Sequence, residues 1–569
     1  MEKRWEIKKA GDKTLVENLA EELKIDSITA NLLVQRGVHN YDEAKFYFRP
    51  QLSFLHDPFL MKDMDKAILR IEKALAKKEK ILIYGDYDVD GTTAVALVYA
   101  FFKKIFSQID YYIPDRYSEG YGISFAAIDF AQKNNFSLVI ALDCGIKANE
   151  KIKYANEKNI DFIICDHHRP GDEIPNAVAV LDPKRADCTY PFDELSGCGI
   201  GFKLVQAYTQ KNNFSTSELN AYLDLVAISI AADIVPIVGE NRILAHFGLK
   251  QLNTAPRPGI KAILQLNNLK KELSVTDIVF VISPRINAAG RMESGKKAVE
   301  LLISEKEENA LDSGRNINIT NSERKNIDTI ITQQAIDMIE EDAEMVDRKT
   351  TVLFYPEWHK GVIGIVASRL IEKYYRPTII LTESSGMATG SARSVKDFDV
   401  YYAIEKCGDL LEQFGGHKYA AGLTMKLENV KIFMERFEKI VSETIEERLL
   451  TPEIEIDAEL KFEDITPKFF RLLKQFAPFG PQNMTPIFIS KNVISVGNPS
   501  IVGVNHLKIM IGNSSAPKNN FSAIGFNMGQ YYQHVSEKKS FDICYSIEEN
   551  EWNGNVSLQL VLKDIRKSE

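Results

Sequence analysis

Short apolar runs that end abruptly in acidic residues are the clearest pattern in this chain. Residues 81–84 have the length and composition of a buried strand in a parallel sheet, and residues 92–105 repeat apolar side chains at helical spacing. Asp86, Asp88 and Asp90 stand between the two segments. The order of strand, acidic turn and helix places three carboxylates at the carboxyl end of a strand, where open α/β sheets bind ligands.

These carboxylates predict a metal site. Three of them within five residues repel one another in a crevice of low dielectric constant. A divalent cation among them would remove that repulsion. The alternative for the motif alone is an acidic surface turn, since aspartate is a common turn former.

The alternation of strand and helix continues along the chain. Further strands are predicted at residues 111–113, 138–142, 161–165 and 177–181. Asp143 follows the second of these, and Asp166, His167 and His168 follow the third. Acidic residues at one strand end are ordinary, but three such ends along one sheet edge favour a metal site over turns. Carboxylates with imidazoles suit Mn²⁺ or Mg²⁺ better than a thiolate-rich zinc site.

An apolar helix is predicted at residues 222–232, and Asp233 closes it. The helix could carry this carboxylate to the same crevice. The alternative is an ordinary acid at a helix end, which is electrostatically unfavourable at a C-terminus.

The remainder of the chain predicts additional domains. Residues 1 to about 60 predict a small helical extension, residues 296–343 predict long helices, and a second α/β unit begins near residue 350. From about residue 453 the pattern changes to short strands with Gly, Asn and Pro between them, at residues 493–496, 506–511, 522–526, 541–547 and 557–562. About five strands suit an OB-like barrel, which commonly binds single-stranded nucleic acid. Another small β-domain is the alternative.

Composition narrows the class of protein. With 569 residues and 45% hydrophobic content, the chain is expected to be a globular protein of three or four domains. It has no apolar stretch of membrane-spanning length, and its charged N-terminus lacks the apolar core of a signal peptide, so a cytoplasmic protein without membrane contact is expected.

Six cysteines without CxxC spacing predict reduced core residues. The net charge of −9 argues mildly against a nucleic-acid-binding surface over the whole protein but allows a local basic groove.

Cationic side chains are candidates for phosphate binding. The candidates are Arg116, Arg285, Arg291, Arg324, His359, Lys360, Arg393 and His417. Residues 283–291 (SPRINAAGR) predict a polar loop, and residues 390–394 (GSARS) and 414–417 (FGGH) predict glycine-containing loops that bring backbone amides close to an anion. Residues 197–201 (GCGIG) predict a loop near the site, whereas residues 290–297 lack the Ser or Thr of a phosphate-binding Walker loop.

Several separated motifs, in the right order, resemble one known family. GDYDVDG, ALDCGI, CDHH and AADIVP resemble the DHH phosphoesterase superfamily, and GVIGIVASRL, GSARS and FGGHKYAAG resemble its companion DHHA1 domain. SPRINAAGRM, APFGPQNMTPIF and WNGNVSLQLVLKDIR narrow the resemblance to the RecJ family of bacterial single-strand-specific DNA exonucleases, over nearly the full chain. The resemblance implies a 5′→3′ exonuclease that releases 5′-mononucleotides from single-stranded DNA with two Mn²⁺ or Mg²⁺ ions, in DNA repair and recombination.

The resemblance also implies an α/β fold with five parts. They are an N-terminal helical extension (1–63), a parallel-sheet DHH domain (64–295), a helical connector (296–347), a smaller α/β DHHA1 domain (348–450) and a C-terminal OB-fold domain (451–569) that closes a ring over the strand. Some family members carry a further C-terminal domain, and partner contacts made through such a domain are not expected here.

Carried over by motif, the resemblance implies roles for individual residues. The implied metal ligands are Asp88, Asp90, Asp143, His167 and Asp233, with Asp86 and His168 as ligands or as groups that support ligands. Arg285 and Arg291 are implied to act at the scissile phosphate. The implied substrate-binding residues are Arg116, Ser391 and Arg393 in a 5′-phosphate pocket, His359, Lys360 and His417 nearby, and Gly415 and Gly416 on the floor of the second domain.

The partner implied is single-stranded DNA, with a helicase or a single-strand-binding protein as further partners. Two alternatives come from other classes. One is a DHH-family phosphodiesterase for oligoribonucleotides or cyclic dinucleotides, or a pyrophosphatase, which would not need the C-terminal barrel. The other is a non-catalytic single-strand-binding protein, which would be expected to have lost site acids and histidines.

Overall fold

A computed structural model describes residues 2–513, 516–537, 539–552 and 554–568. Residues 1 and 569, the outer limits of the terminal domains expected from sequence, lie outside this description. The chain forms two compact units. A terminal unit combines Met1–Ser53 with Thr451–Glu569, and a central unit comprises Phe54–Leu450.

The N-terminal part of the terminal unit is mainly helical, as predicted. Its elements are β1 (Arg4–Ile7), α1 (Lys13–Leu23), α2 (Ser27–Val34) and α3 (Tyr41–Phe48). The side chain of Asp26 accepts a hydrogen bond from the amide of Thr29 and so caps the start of α2. The short strand β1 was not predicted, because four residues carry little periodic signal.

A parallel sheet forms the first half of the central unit. Its elements are α4 (Met64–Lys77), β2 (Lys80–Gly85), α5 (Val89–Lys103), β3 (Ile109–Tyr112), α6 (Phe125–Lys133), β4 (Phe136–Leu142), α7 (Asn149–Glu157), β5 (Asp161–Cys165) and β6 (Ala179–Leu181). The strand order is β3-β2-β4-β5-β6, and every pair is parallel. Gly85 pairs with Leu142, Leu142 with Cys165, and Cys165 with Leu181, so the strands end in line. The acidic residues that follow them therefore share one edge, as predicted.

Helices complete this half. They are α8 (Gly197–Lys211), α9 (Leu223–Ala232), α10 (Gly239–Thr254), α11 (Pro258–Leu266), α12 (Val275–Asp277), a π-helical turn (Ile278–Ile282), α13 (Ser283–Met292) and α14 (Gly295–Leu302). Two loop predictions were wrong. Residues 197–201 form the first turns of α8, capped by Ser196. Residues 283–291 lie in α13, which continues directly from the π-helical turn and has Pro284 in its first turn.

Two helices connect the halves of the central unit, α15 (Glu307–Glu341) and α16 (Ala343–Asp347). The predicted long helical connector is confirmed by the 35 residues of α15. No helix among the described residues has the length and apolar character that crossing a membrane requires.

The second half of the central unit is a mixed sheet with helices. Its elements are β7 (Thr351–Phe354), α17 (Ile363–Tyr374), β8 (Thr378–Ser384), β9 (Met387–Arg393), α18 (Val400–Glu405), β10 (Leu411–His417), β11 (Ala420–Lys426) and α19 (Val430–Thr444). The order is β10-β11-β9-β8-β7, with only β7 and β8 parallel.

The glycine-containing segments of this half are strands, so their prediction as loops was wrong. Residues 390–393 belong to β9, and residues 414–417 belong to β10. A Cβ atom at Gly390 would lie 2.4 Å from Cδ2 of Leu381 on the neighbouring strand, so this glycine permits close packing within the sheet.

The C-terminal part of the terminal unit contains a β-barrel. Its elements are β12 (Glu453–Ile456), β13 (Ala458–Glu459), α20 (Pro467–Lys474), β14 (Phe488–Ser495), β15 (Ser500–Val502), β16 (His506–Asn513), β17 (Ala516–Gly525), α21 (Tyr532–Ser536), β18 (Phe541–Trp552) and β19 (Asn555–Lys567). The pairings β14–β16, β16–β17, β17–β19, β19–β18 and β18–β14 close a five-stranded barrel. A helix between the third and fourth strands and one parallel pair, β17–β19, complete the predicted OB topology.

The ends of the chain meet in the terminal unit. Strand β1 pairs in parallel with β12, and Nε1 of Trp5 donates to Oδ2 of Asp564 over 2.8 Å. The guanidinium of Arg566 lies 4.3 Å from the centroid of the Trp5 ring. The N-terminal segment is therefore packed onto the barrel.

A buried ionic cluster fixes α15 in the central unit. Asp328 is fully buried, with Oδ2 accepting from Nη1 of Arg324 at 2.7 Å and Oδ1 lying 2.6 Å from Nη2 of Arg369 on α17. Nη2 of Arg324 also donates to Asn321 over 2.8 Å. One carboxylate thus holds an arginine of the connector and an arginine of the second half.

Replacing this carboxylate should destabilise the central unit. The change Asp328→Ala leaves two arginines without their shared buried acceptor, which typically costs about 3–5 kcal/mol. We expect a fall of several degrees in the thermal unfolding midpoint, measured by circular dichroism. Asp312→Ala on the same helix, which removes an exposed pair with Arg315, is the control and should leave the midpoint unchanged. Equal midpoints for both variants would contradict this role of Asp328.

Candidate metal and phosphate site

The turn after β2 supplies three carboxylates. Asp86 and Asp90 are buried, and Oδ1 of Asp88 accepts the amide of Gly91 over 2.9 Å, so Asp88 caps α5. A Cβ atom on Gly91 would lie 2.5 Å from the backbone oxygen of Asp86. The glycine is therefore required for the tight turn that points three acids into one crevice.

Asp90 is held by the N-terminus of α8. The amides of Gly197 and Cys198 each donate to its carboxylate over 2.7 Å, and Oγ of Ser229 donates over 2.6 Å. A Cβ atom on Gly197 would lie 2.6 Å from the side chain of Asp143. Residues 197–201 were predicted to lie near the site but not to bind Asp90, and Ser229 was not predicted at all, although Ser196 before a run of small residues was a signal for a helix start.

His167 brings the distant acids together. Its Nε2 atom lies 3.2 Å from Asp143, 3.5 Å from Asp233 and 3.7 Å from Asp90. Two groups of potential ligands result, Asp143 with His167 and His168, and Asp90 with His167 and Asp233, in which the ligand atoms lie within 4.8 Å of one another. Helix α9 ends at Asp233 and carries that carboxylate to the sheet edge.

The electrostatics of these groups fit a bound cation. Burial, followed by repulsion from neighbouring carboxylates, raises the pKa of Asp86, Asp88 and Asp143 and raises that of Asp233 to about 8. Burial lowers the pKa of His167, which favours the neutral form that binds metals.

Buried atoms without partners are a second observation for a cation. Within the described residues, no hydrogen bond is made by either carboxylate oxygen of Asp86, by Oδ1 of Asp143 or by either ring nitrogen of His167. Such groups are costly to bury unless something binds them. A divalent cation satisfies carboxylate oxygens and imidazole nitrogens together.

Asp166 and His168 form a different kind of pair. The Asp166 carboxylate accepts the amides of Ile146, His167 and His168, and it lies 2.7 Å from Nδ1 of His168. Burial alone would raise the pKa of Asp166, but these hydrogen bonds lower it to about 2. Against the effect of burial, Asp166 raises the pKa of His168 to about 9. No individual role was predicted for Asp166. Its carboxylate oxygens are engaged by three backbone amides and by the His168 ring.

Arginines lie beside the carboxylates. Arg116 stacks on Tyr87 with 4.8 Å to the ring centroid, Nη1 of Arg291 donates to the oxygen of Gly361 over 3.0 Å, and Nη1 of Arg393 donates to Oγ of Ser391 over 3.0 Å. Burial, together with the charges of Arg116 and Arg393, lowers the pKa of Arg291 to about 9. Mutual repulsion of this kind identifies a pocket that suits an anion.

Two histidines and a lysine among the predicted phosphate-binding residues lie near these arginines. His359 and Lys360 are half-buried near Arg116, whose charge, after burial, lowers the pKa of both. His417 lies on β10, where the charges of Arg393 and His168 contribute, after burial, to a lowered pKa. The three residues therefore surround the arginine pocket.

Gly415 and Gly416 directly precede His417 on β10, whereas Arg285 makes contacts elsewhere in the central unit. The two glycines are exposed in β10. Arg285 is buried and bound to the protein, with Nη1 donating to the oxygen of Val281 over 2.6 Å and Nε donating to Asn318 over 3.1 Å. Arg324 is held by Asp328. The structure therefore brings Arg116, Arg291 and Arg393 together and leaves Arg285 and Arg324 in structural contacts.

Models of three protein families match the chain. They are the DHH family N-terminal domain at residues 80–230, the DHHA1 domain at residues 347–443 and the RecJ OB domain at residues 456–564.

Solved structures show the same fold. RecJ from Thermus thermophilus, crystallised with Mn²⁺, has a TM-score of 0.84 at 24% identity and covers 100% of this chain and 80% of that chain. An exonuclease RecJ bound to manganese has a TM-score of 0.60 at 28% identity and covers 70% of this chain and 98% of that chain.

Curated relatives extend the similarity to the sequence. The single-stranded-DNA-specific exonuclease RecJ of Bacillus subtilis strain 168 is 37% identical over 572 residues, which cover 100% of this chain and 71% of the relative. The protein of that name from Escherichia coli strain K12 is 30% identical over 562 residues, which cover 95% of this chain and 96% of the relative. The chain therefore belongs to the RecJ family of single-stranded-DNA-specific exonucleases.

Proposed function

We propose that this chain is a 5′→3′ exonuclease that hydrolyses single-stranded DNA and releases 5′-mononucleotides with two Mn²⁺ or Mg²⁺ ions. The observation that carries the proposal is a set of buried carboxylates and an imidazole without partners in the described residues, directly beside a pocket of arginines. A phosphodiester next to divalent cations fits such a pair of neighbouring pockets. Membership in a family whose relatives are named single-stranded-DNA-specific exonucleases supports the substrate.

The residues that would hold the ions are Asp86, Asp88, Asp90, Asp143, His167 and Asp233. When bound, divalent cations would lower the pKa of a water molecule and stabilise the negative charge that develops on the phosphate. Asp166 is left out of this set because its oxygens already accept four hydrogen bonds. It would instead orient His168, which stands beside the ligands.

The arginine pocket would select the end of the strand. Arg116, Ser391 and Arg393, with Arg291 nearby, would bind a 5′-terminal phosphate and place the adjoining phosphodiester at the carboxylates. A Cβ atom at Gly364 would lie 2.9 Å from Oγ of Ser391 and 3.0 Å from Nη2 of Arg393, so glycine keeps space for these groups. Binding the terminus in this way would set the 5′→3′ polarity.

The OB barrel supports a single-stranded substrate, since this fold binds single strands through stacking and backbone contacts. We place the enzyme in the cytoplasm, in DNA repair and recombination. All six cysteines, which lie in the described part of the chain, are free thiols, as a reducing compartment would keep them. A helicase or a single-strand-binding protein is the kind of partner that would supply its strands.

End-labelled DNA tests the activity and the metal requirement. With Mn²⁺ or Mg²⁺, single-stranded DNA labelled at the 5′ end should lose its label at once as mononucleotide, and EDTA should prevent this. Asp88→Ala should reduce the rate at least ~1,000-fold and keep the far-ultraviolet circular dichroism spectrum. Asp110→Ala, an exposed acid on β3, is the control and should match the unmodified enzyme. Intact DNA under all conditions would contradict the proposal and direct the assay to short oligoribonucleotides and cyclic dinucleotides.

Substrates with different 5′ ends test the arginine pocket. Arg393→Ala removes a charged donor to the terminal phosphate, so cleavage of 5′-phosphorylated DNA should fall about 10- to 100-fold through KM. Cleavage of 5′-hydroxyl DNA should change little. Arg436→Ala, which removes an exposed pair with Asp409, is the control from the same half of the unit. Equal losses on both substrates would show that Arg393 does not bind the terminal phosphate.

A further inference from the structure

Tyr121 stands at the edge of the carboxylate cluster, on the segment between β3 and α6. Its side chain is 54% exposed. The hydroxyl lies 3.1 Å from Nε2 of His168 and 3.4 Å from the backbone oxygen of Asp143. Its ring meets the rings of His168 and Tyr87 edge-on, with centroids 5.9 and 6.3 Å apart.

Each ring nitrogen of His168 has a contact with a neighbouring side chain. Nδ1 lies 2.7 Å from Oδ1 of Asp166, and Nε2 faces the Tyr121 hydroxyl. The neighbouring His167 differs, because neither of its ring nitrogens has a hydrogen-bond partner in the described part of the chain. The two adjacent histidines therefore differ: the ring nitrogens of His167 are available to a ligand, whereas the ring of His168 is fixed in orientation.

The segment that carries Tyr121 is itself well anchored. Glu119 accepts the amide of Asp115 over 2.8 Å and the hydroxyl of Tyr112 over 3.0 Å. The hydroxyl of Tyr84, on the interior strand β2, donates to the oxygen of Gly122 over 2.6 Å. These bonds tie both sides of Tyr121 to the parallel sheet, so its hydroxyl is placed by the fold.

We propose that Tyr121 is a positioning residue that holds the His168 ring against Asp166, so that the imidazole keeps one orientation beside Asp143 and the phosphodiester. The proposal rests on the proposed nuclease function. A hydroxyl suits this task because it both donates and accepts, and so it bonds Nε2 whether or not that nitrogen carries a proton. His168 needs such a lock because 45% of its side chain is exposed and its ring would otherwise rotate.

Steady-state kinetics on 5′-phosphorylated single-stranded DNA test the lock. Tyr121→Phe keeps the ring and removes the hydroxyl, and kcat should fall about tenfold while KM stays within about twofold. Tyr154→Phe, which removes a hydroxyl that donates from α7 to Asp129 over 2.8 Å, is the control and should leave both constants unchanged. Unchanged kcat for Tyr121→Phe would overturn the proposal.

A double-mutant cycle shows whether Tyr121 acts through His168. In the His168→Gln background, Tyr121→Phe should cause no further loss, because the ring that it positions is gone. A tenfold loss in both backgrounds would overturn the proposal. If Tyr121→Leu raises KM and Tyr121→Phe has no effect, the aromatic ring of Tyr121 stacks on a base of the DNA. That result would also overturn the proposal.

Nuclear magnetic resonance of the metal-free protein separates this proposal from the proposed function. With ¹⁵N-labelled histidine, Tyr121→Phe should shift the Nε2 resonance of His168, and Tyr154→Phe should not. The shift is expected even if the unmodified protein cleaves no DNA, in which case the nuclease function fails and the lock stands. Unchanged His168 resonances in an active enzyme would overturn the lock alone.

Discussion

Repulsion among buried carboxylates is the constraint around which the central unit is organised. Parallel pairing in register ends β2, β4 and β5 at one edge, and each strand is followed by an aspartate. Helix α9 adds Asp233 to the same place. The fold thereby concentrates negative charge where burial makes that charge most costly, and backbone amides from α8 offset part of the cost at Asp90. Divalent cations at this edge would offset the repulsion that remains.

Arginines also lie beside these carboxylates, and they are carried by different structural elements from those that carry the carboxylates. Arg116 belongs to the parallel-sheet half, Arg291 to α13, and Arg393 to β9 of the mixed sheet. Nη1 of Arg291 meets the oxygen of Gly361 across the two halves. An anion bound by the arginines and a cation bound by the carboxylates would therefore be neighbours, although the chain carries a net charge of −9.

Sequence reasoning succeeds where the signal is local. Asp86, Asp88 and Asp90 follow from one strand, one turn and one helix, and the barrel follows from its alternating strands. Proline and glycine were misleading signals, because Pro284 lies in a helix that continues from a π-helical turn, and Gly390 lies within a strand, where it allows close packing. No periodicity could show that Asp166 is occupied by hydrogen bonds or that Tyr121 faces His168, since such contacts join separate segments. The roles of the individual site residues stay predictions.

The connector α15 also limits how the chain can vary. One continuous helix of 35 residues packs against α11 and α13 near its start and against α17 farther along, where Asp328 pairs with Arg369. One inserted residue in its middle would turn everything beyond it by about 100° and shift it by about 1.5 Å. Arg291 and Gly361 would then no longer meet. The connector can therefore change in amino-acid identity at its exposed positions but not in length, whereas surface loops tolerate insertions at small entropic cost.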